Sequence, residues 1–214
     1  MGDVITRGFK SVIARKNAGS ASSYLIEENF EGTGTPTGWA VLAGTPDFGY
    51  TTTVIDGTKS LSLANAAAQA QASFTAGDER FGYFRFRMDS FGNTPFLLND
   101  VAGFGFRARV LTTGKIRIWN DAGSELITGA LTLTINTVYN YWFRIKKGTG
   151  ANAEFDSYVS TSTTKPSADA STTGGDMTNQ VSEMVVDVNV GSTNLIMDSV
   201  LISATDIGSN PWSI

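Results

Sequence analysis

From about Leu25 onward apolar and polar residues alternate with a period of two, the pattern of strands that bury one face and solvate the other. In Gln69–Ala76 every apolar residue falls on an even position, which predicts a strand despite the helix propensity of alanine. Phe84, Phe86 and Met88 alternate with Tyr83, Arg85, Arg87 and Asp89. Phe104, Phe106, Ala108 and Val110 then flank Arg107 and Arg109, and Ile116 and Ile118 flank Lys115, Arg117 and Trp119, with Thr112-Thr113-Gly114 as a tight turn between the two runs. Tyr139, Tyr141, Phe143 and Ile145 alternate with Asn140, Trp142, Arg144 and Lys146, and Phe155, Ser157 and Val159 with Glu154, Asp156 and Tyr158. Met184–Val190 and Leu195–Ala204 read as continuously apolar strands. Strands at this spacing, separated by Gly, Asn, Asp, Ser and Thr clusters, predict an all-β antiparallel sandwich or barrel. Ser160–Thr178 is rich in Ser, Thr, Gly, Ala and Asp and carries Lys165-Pro166; it reads as a long surface loop, with a ligand-contacting loop as the sharper alternative.

Residues 1–23 follow a different rule. Ile5, Phe9, Val12 and Ile13 fall at i, i+4, i+7 and i+8, interleaved with Arg7, Lys10, Arg15 and Lys16, and Asn17-Ala18-Gly19 supplies a stop. This predicts a short basic amphipathic arm for docking or assembly, helical or, because of Gly8, extended. Residues 24–214 form the β-sandwich domain.

Composition narrows the chemistry. At 214 residues the chain is one domain large enough for a core of its own, and charged residues at 17% argue against long charged helices. With Cys 0 and His 0, thiol nucleophiles, Ser-His-Asp arrangements, disulfides and imidazole or thiolate metal sites are excluded. No run approaches the ~20 apolar residues of a membrane-spanning helix, and the polar Met1–Arg7 start predicts no signal peptide. Asp47, Asp169, Asp176, Asp187, Asp198 and Asp206 are hard oxygen ligands, but none lies in a calcium-loop pattern, so neither metal nor cofactor is expected. Glu154 and Asp156 share one strand face without the third acid of a glycosidase-type triplet, and adjacent pairs such as Glu27-Glu28 and Asp78-Glu79 point to opposite faces.

The net charge of −4 conceals an asymmetry. Arg80–Lys147 holds ten basic against four acidic residues, whereas residues 148–214 hold one against eight. Arg85, Arg87, Arg107, Arg109, Arg117 and Arg144 lie on the polar phase of their strands together with Trp119 and Trp142. If those strands are neighbours, they form one basic, aromatic-studded face, suited to an acidic glycan or to an acidic surface of a neighbouring subunit. Ordinary solvated cross-strand ion pairs are the competing reading, with Glu154 and Asp156 the nearest acids for Arg144. A pI near 4.8 and the lack of a recognised motif argue against nucleic acid.

Glu28-Asn29-Phe30-Glu31-Gly32-Thr33, followed by Pro36-Thr37-Gly38-Trp39, resembles the opening strand and turn of concanavalin-like (laminin-G-like) jelly-roll domains. Arg80–Asp89 resembles their central strand, Gly103–Asn120 a hairpin, Tyr141-Trp142-Phe143-Arg144-Ile145 a strand opened by an aromatic pair, and Asn194–Ser203 the closing strand. The resemblance implies a two-sheet jelly-roll sandwich over roughly residues 25 to 205. Proteins of that fold include carbohydrate-binding modules, lectins, glycoside hydrolases and accessory domains of viral particles. The lack of a catalytic constellation, together with the arm, leads to the expectation of a non-enzymatic virion subunit, a bacteriophage capsid-decoration or tail-associated protein. Its expected partners are other virion proteins and further copies of itself, with no nucleic acid and no membrane. A carbohydrate-binding module or lectin for a host-surface or acidic glycan is the alternative.

Overall fold

The computed structural model describes residues 24–64, 67–91, 96–99, 105–120, 122–188 and 194–208, residues 96–99 as backbone alone. The expected arm with Ile5, Phe9, Val12 and Ile13 lies outside them. The described residues hold no helix and form β1 (Tyr24–Glu28), β2 (Trp39–Ala43), β3 (Asp47–Tyr50), β4 (Ser60–Leu63), β5 (Ala68–Gly77), β6 (Glu79–Met88), β7 (Phe96–Asn99), β8 (Arg107–Val110), β9 (Lys115–Trp119), β10 (Glu125–Thr132), β11 (Tyr139–Lys146), β12 (Gly148–Ser160), β13 (Ala170–Met177), β14 (Val181–Val188) and β15 (Leu195–Ser203). They assemble into two antiparallel sheets. Sheet A runs β13-β12-β11-β6-β15-β4-β3, with β1 also paired to β15, and sheet B runs β10-β9-β8-β7-β14-β5-β2.

The alternation read from the sequence decides what each strand turns inward. Sheet A presents Phe84, Phe86, Tyr141, Phe143 and Phe155 to the core, while sheet B presents Ala68, Ala70, Ala72, Ala108, Ile116 and Ile118. Large rings on one layer thus meet small or branched residues on the other, which fills the interlayer space at the density of protein interiors. Each fully buried aromatic side chain contributes roughly 1.5–3 kcal/mol of hydrophobic stabilisation. Phe30, Trp39 and Phe48 close one end of this core, with ring centroids 5.3, 6.2 and 6.0 Å apart.

The Thr112-Thr113-Gly114 turn forms as expected. The Gly114 N–H donates to the Leu111 carbonyl at 2.8 Å, and the backbone there adopts φ +77°, a region that glycine enters without strain. A Cβ at this position would also lie 2.8 Å from the Leu133 carbonyl oxygen.

β15 reads as continuously apolar because both of its faces are covered. A bulge at Ser199, whose φ is +54°, shifts the phase: Leu195, Met197, Val200 and Ile202 join the core between the sheets, while Leu201 points the other way.

Two expectations change. Ser160–Thr178 is not one long loop, because Ala170–Met177 pairs with β12 as the edge strand of sheet A. Its small and polar residues hide a buried phase, in which Gly175 lies beneath the Phe106 ring and Met177 is fully buried. Trp142 is not a surface residue: it is 1% exposed and packs with Tyr83, Leu201 and Ile207 on the outer side of sheet A. The chain folds back over that part of the sheet. Lys165 Nζ sits 4.2 Å above the Tyr158 ring and 2.5 Å from Asp206, and Asn140 Nδ2 donates to the Ser162 carbonyl at 3.0 Å. Alternation reports the phase of a residue and is silent on what later covers that phase.

Candidate functional site on the outer face of sheet B

The eight residues expected on one face are divided between two. Arg85 and Arg87 on β6 and Trp142 and Arg144 on β11 belong to the outer side of sheet A, whereas Arg107 and Arg109 on β8 and Arg117 and Trp119 on β9 belong to the outer side of sheet B. The core lies between the two groups, so no ligand smaller than the domain touches both.

On sheet A, Arg85 and Arg144 are paired with acids of the chain, while Arg87 has a neutral partner. Arg85 pairs with Asp56 at 3.2 Å, and Arg87 donates to Asn136 Oδ1 at 2.5 Å. Arg144 lies 2.6 Å from Glu79, 2.8 Å from Glu154 and 2.9 Å from Asp156, and Lys146 pairs with Glu154 at 2.8 Å. Burial alone would lower the Arg144 pKa, but its bonds to Asp156, Glu79 and Glu154 outweigh that and hold the guanidinium more firmly protonated than usual. Hydrogen bonds from Lys146 and Arg144 keep the Glu154 carboxyl below its ordinary range. Glu154 and Asp156 are therefore counter-ions for Arg144, as their register across β11 and β12 dictates, rather than a proton donor with a nucleophile.

The outer face of sheet B is built differently. Strand register sets two rows across it. One runs from Gln69 on β5 through Asp187 on β14 and the Phe96 position of β7 to Arg109 and Arg117. The other runs from Gln71 through Val185 and the Asn99 position to Arg107 and Trp119. Adjacent strands are about 4.8 Å apart, so each row presents a group at an interval close to the length of one pyranose ring. Arg109 stands directly opposite Arg117, a like-charge pair that is destabilising in an antiparallel ladder. Glu125 offsets one of the two charges, lying 2.9 Å from Arg117, whose Nε also donates to Thr128 Oγ1 at 3.1 Å. The Arg109 guanidinium lies 6.0 Å from the centre of the Trp119 ring. Neither Arg107 nor Lys115 has an ion-pair partner among the described residues. The Trp119 Nε1–H is buried without an acceptor among them.

At the other end of the first row, Asp187 is 4% exposed. Gln69 Nε2 donates to its Oδ2 at 2.9 Å, while Oδ1 is buried without a partner among the described residues. Burial raises the Asp187 pKa, and the single Gln69 bond only partly opposes it. Gln69, Gln71, Asp187, Glu125 and Thr128 escape the sequence reading of the site. Gln69 and Gln71 were visible as the polar phase of their strand, but nothing local places that strand in the same sheet as Arg107. Among the described residues no three carboxylates are grouped so as to hold a metal ion, and no helix is long and apolar enough to cross a membrane.

Solved structures supply the comparison. Endo-β-1,4-glucuronan lyase from the fungus Trichoderma reesei superimposes with a TM-score of 0.59 at 12% identity, covering 85% of this chain and 96% of that one. The likeness is one of fold. A PL-14 alginate lyase from Aplysia kurodai gives 0.56 at 8% identity over 84% of this chain and 98% of its own. The receptor-binding domain of botulinum neurotoxin type G gives 0.57 at 10% identity over 87% of this chain and 49% of that one, so this chain spans about half of the toxin domain. No family model and no curated protein sequence matches the chain.

These structures establish the two-sheet jelly-roll sandwich and correct one expectation. The lack of a nucleophile-base constellation is no ground for calling the chain non-enzymatic, because two of the structures sharing its fold are polysaccharide lyases. The absence of Cys and His excludes thiol and imidazole chemistry alone.

Proposed function

We propose that this chain recognises a polysaccharide on the outer face of sheet B. The observation that carries the reading is the pairing of Arg107 on β8 with Trp119 on β9, where Arg107 has no ion-pair partner among the described residues and the neighbouring Lys115 likewise has none. Indole rings offer a flat apolar surface for sugar rings, and guanidinium groups and the Gln71 amide offer fixed donors for sugar oxygens. The carbohydrate-active character of structures with this fold supports it, since two are named for polysaccharide lysis. A capsid-decoration or tail-associated role draws no support from these neighbours.

Affinity electrophoresis through gels containing a panel of neutral and acidic polysaccharides tests the proposal. At least one polymer is expected to retard the wild type. Trp119→Ala should weaken that retardation by about tenfold, the loss of one stacked aromatic contact of roughly 1.4 kcal/mol. Arg85→Ala, on the other sheet, should leave it unchanged. Retardation by no polymer, or equal retardation of wild type and Trp119→Ala, would remove the reading. The ultraviolet absorbance of unsaturated sugar ends in the same mixtures reads whether a bound polymer is also cut by elimination.

A further inference from the structure

We infer that two copies of this chain pair edge to edge through β2, joining their B sheets into one continuous antiparallel sheet.

The terminal strands carry the inference. Among the described residues sheet B ends at β10 and β2, sheet A ends at β13 and β3, and β1 pairs with β15 alone. A terminal strand presents backbone groups open to another chain, and proteins blunt such edges with charges, bulges or covering side chains. Every terminal strand but one carries an acid. β10 has Glu125, and its Leu131 N–H donates to Asp169 Oδ1 at 2.8 Å. β3 has Asp47, which accepts the Gly49 N–H at 2.8 Å. β13 has Asp176, which accepts the Gly150 N–H at 3.3 Å, and β1 has Glu27 and Glu28.

β2 is the exception. Trp39-Ala40-Val41-Leu42-Ala43 holds no charge, and Val41 and Leu42 are large apolar side chains left exposed. The Gly38 carbonyl accepts from the Ser73 N–H, so by antiparallel alternation Ala40 also faces β5, and the Val41 N–H and C=O face away from it. Leu42 is the extra residue of a bulge against β5, which limits the length of straight edge and hence the strength of pairing.

The occupant follows from charge and symmetry. An acidic or basic partner strand finds no charge on β2 to engage. A second β2, set antiparallel about a two-fold axis, opposes no like charges and covers Val41 and Leu42 on both copies. That axis stands perpendicular to the joined sheet, so both outer faces of sheet B, with their Arg107–Trp119 pairs, look the same way. One short strand edge covers less than the roughly 800 Å² per partner of a stable dimer, so the pair is weak on its own, with a dissociation constant of about 100 µM.

Sedimentation equilibrium of the full chain from about 10 µM to about 1 mM tests the pairing. The mean mass is expected to climb from the 22.8 kDa of one chain toward twice that value. Leu42→Lys, at an exposed position, should keep its melting temperature and weaken association by about tenfold or more. Because the chain contains no cysteine, a single introduced thiol reports the contact independently. A short bismaleimide should join Leu42→Cys into dimers and leave Thr173→Cys, exposed on the β13 edge, monomeric.

A mass fixed at that of one chain throughout would overturn the inference, as would association undiminished in Leu42→Lys or cross-linking equal at the two positions. Growth beyond two copies would overturn it as well, since a two-fold contact closes. The shared orientation of the two faces has a consequence that rests on the sheet B reading: at concentrations that populate the dimer, a polysaccharide gel should retard Leu42→Lys less than the wild type, through lost avidity. Retardation of neither chain by any polymer would remove the polysaccharide reading and leave the sedimentation result standing. Equal retardation of both, with the dimer present, would overturn the common orientation.

Discussion

Replacing Gly82 with alanine is expected to destabilise the fold by about 3 kcal/mol, near the upper end of what overpacking a core produces. Gly82 is buried in β6, opposite Phe143 of β11, and a Cβ built on it would meet the Phe143 Cζ at 2.0 Å and Cε1 at 2.1 Å. The ring has no room to retreat. Phe143 is 3% exposed, and its centroid lies 6.4 Å from that of Phe84 and 6.3 Å from that of Tyr141. β6 and β11 are adjacent strands within sheet A, so any backbone shift that relieved the clash would disturb the register carrying Arg144 to its three acids. Urea unfolding of wild type, Gly82→Ala, Phe143→Ala and the double variant measures the coupling. Gly82→Ala should be strongly destabilising alone and close to neutral in the Phe143→Ala background. Equal effects in both backgrounds would contradict the packing described here.

The second large effect depends on pH. Asp198 in β15 is fully buried, and its carboxyl accepts hydrogen bonds from Ser60 Oγ at 2.8 Å and from the backbone N–H groups of Asp56 at 3.2 Å and Ser199 at 2.6 Å. Arg85 stands opposite it in register, and the Asp56 carboxylate lies nearby. Burial raises the Asp198 pKa to about 7 against the lowering effect of its hydrogen bonds, and the Asp56 charge adds to the rise. In the unfolded chain the same carboxyl titrates near 3.9. Between these values the folded state holds one proton more than the unfolded state, so stability falls as pH rises from about 4 to about 7. The whole shift amounts to roughly 4 kcal/mol. Asp187 and Glu28, whose pKa values are also raised, act in the same direction, whereas Glu31, Asp78 and Glu154, with lowered values, act against it. The difference between wild type and Asp198→Asn isolates Asp198. Its stability relative to the variant should decline steadily from pH 4.5 to pH 7.5, and parallel curves would contradict the assignment.

Much of the fold is legible in the sequence because burial of one strand face imposes a period of two, and β5, β6, β8, β9, β11 and β12 show it openly. The pairing of Arg144 with Glu154 and Asp156 is legible for the same reason, since β11 and β12 are consecutive and joined by a short connection. The strands that escape lack the pattern for identifiable causes. β2, Trp39-Ala40-Val41-Leu42-Ala43, is an uncharged edge strand with Val41 48% and Leu42 42% exposed, so it shows no polar phase. β13 carries its inward phase on Ala170, Gly175 and Met177, two of which any composition-based reading assigns to a loop.

The site was half legible. Arg85 and Arg107 have nearly the same local surroundings, yet they end on opposite sides of the molecule, because sheet membership is decided by long-range pairing of β6 with β15 in one case and, through the β7–β8–β9 ladder, of β7 with β14 in the other. Asp187 was hidden in a run that reads as apolar, and the covering of Trp142 depends on residues more than sixty positions later.

Backbone amide chemical-shift mapping with a short oligosaccharide of the polymer that retards the chain in affinity electrophoresis separates the two faces directly. The account predicts that titration shifts the amides of Arg107–Val110 and Lys115–Trp119, with Gln71 at the far end of the row, and leaves Glu79–Met88 and Tyr139–Lys146 in place. Shifts confined to the Arg85, Arg87 and Arg144 strands, with β8 and β9 unmoved, would contradict it.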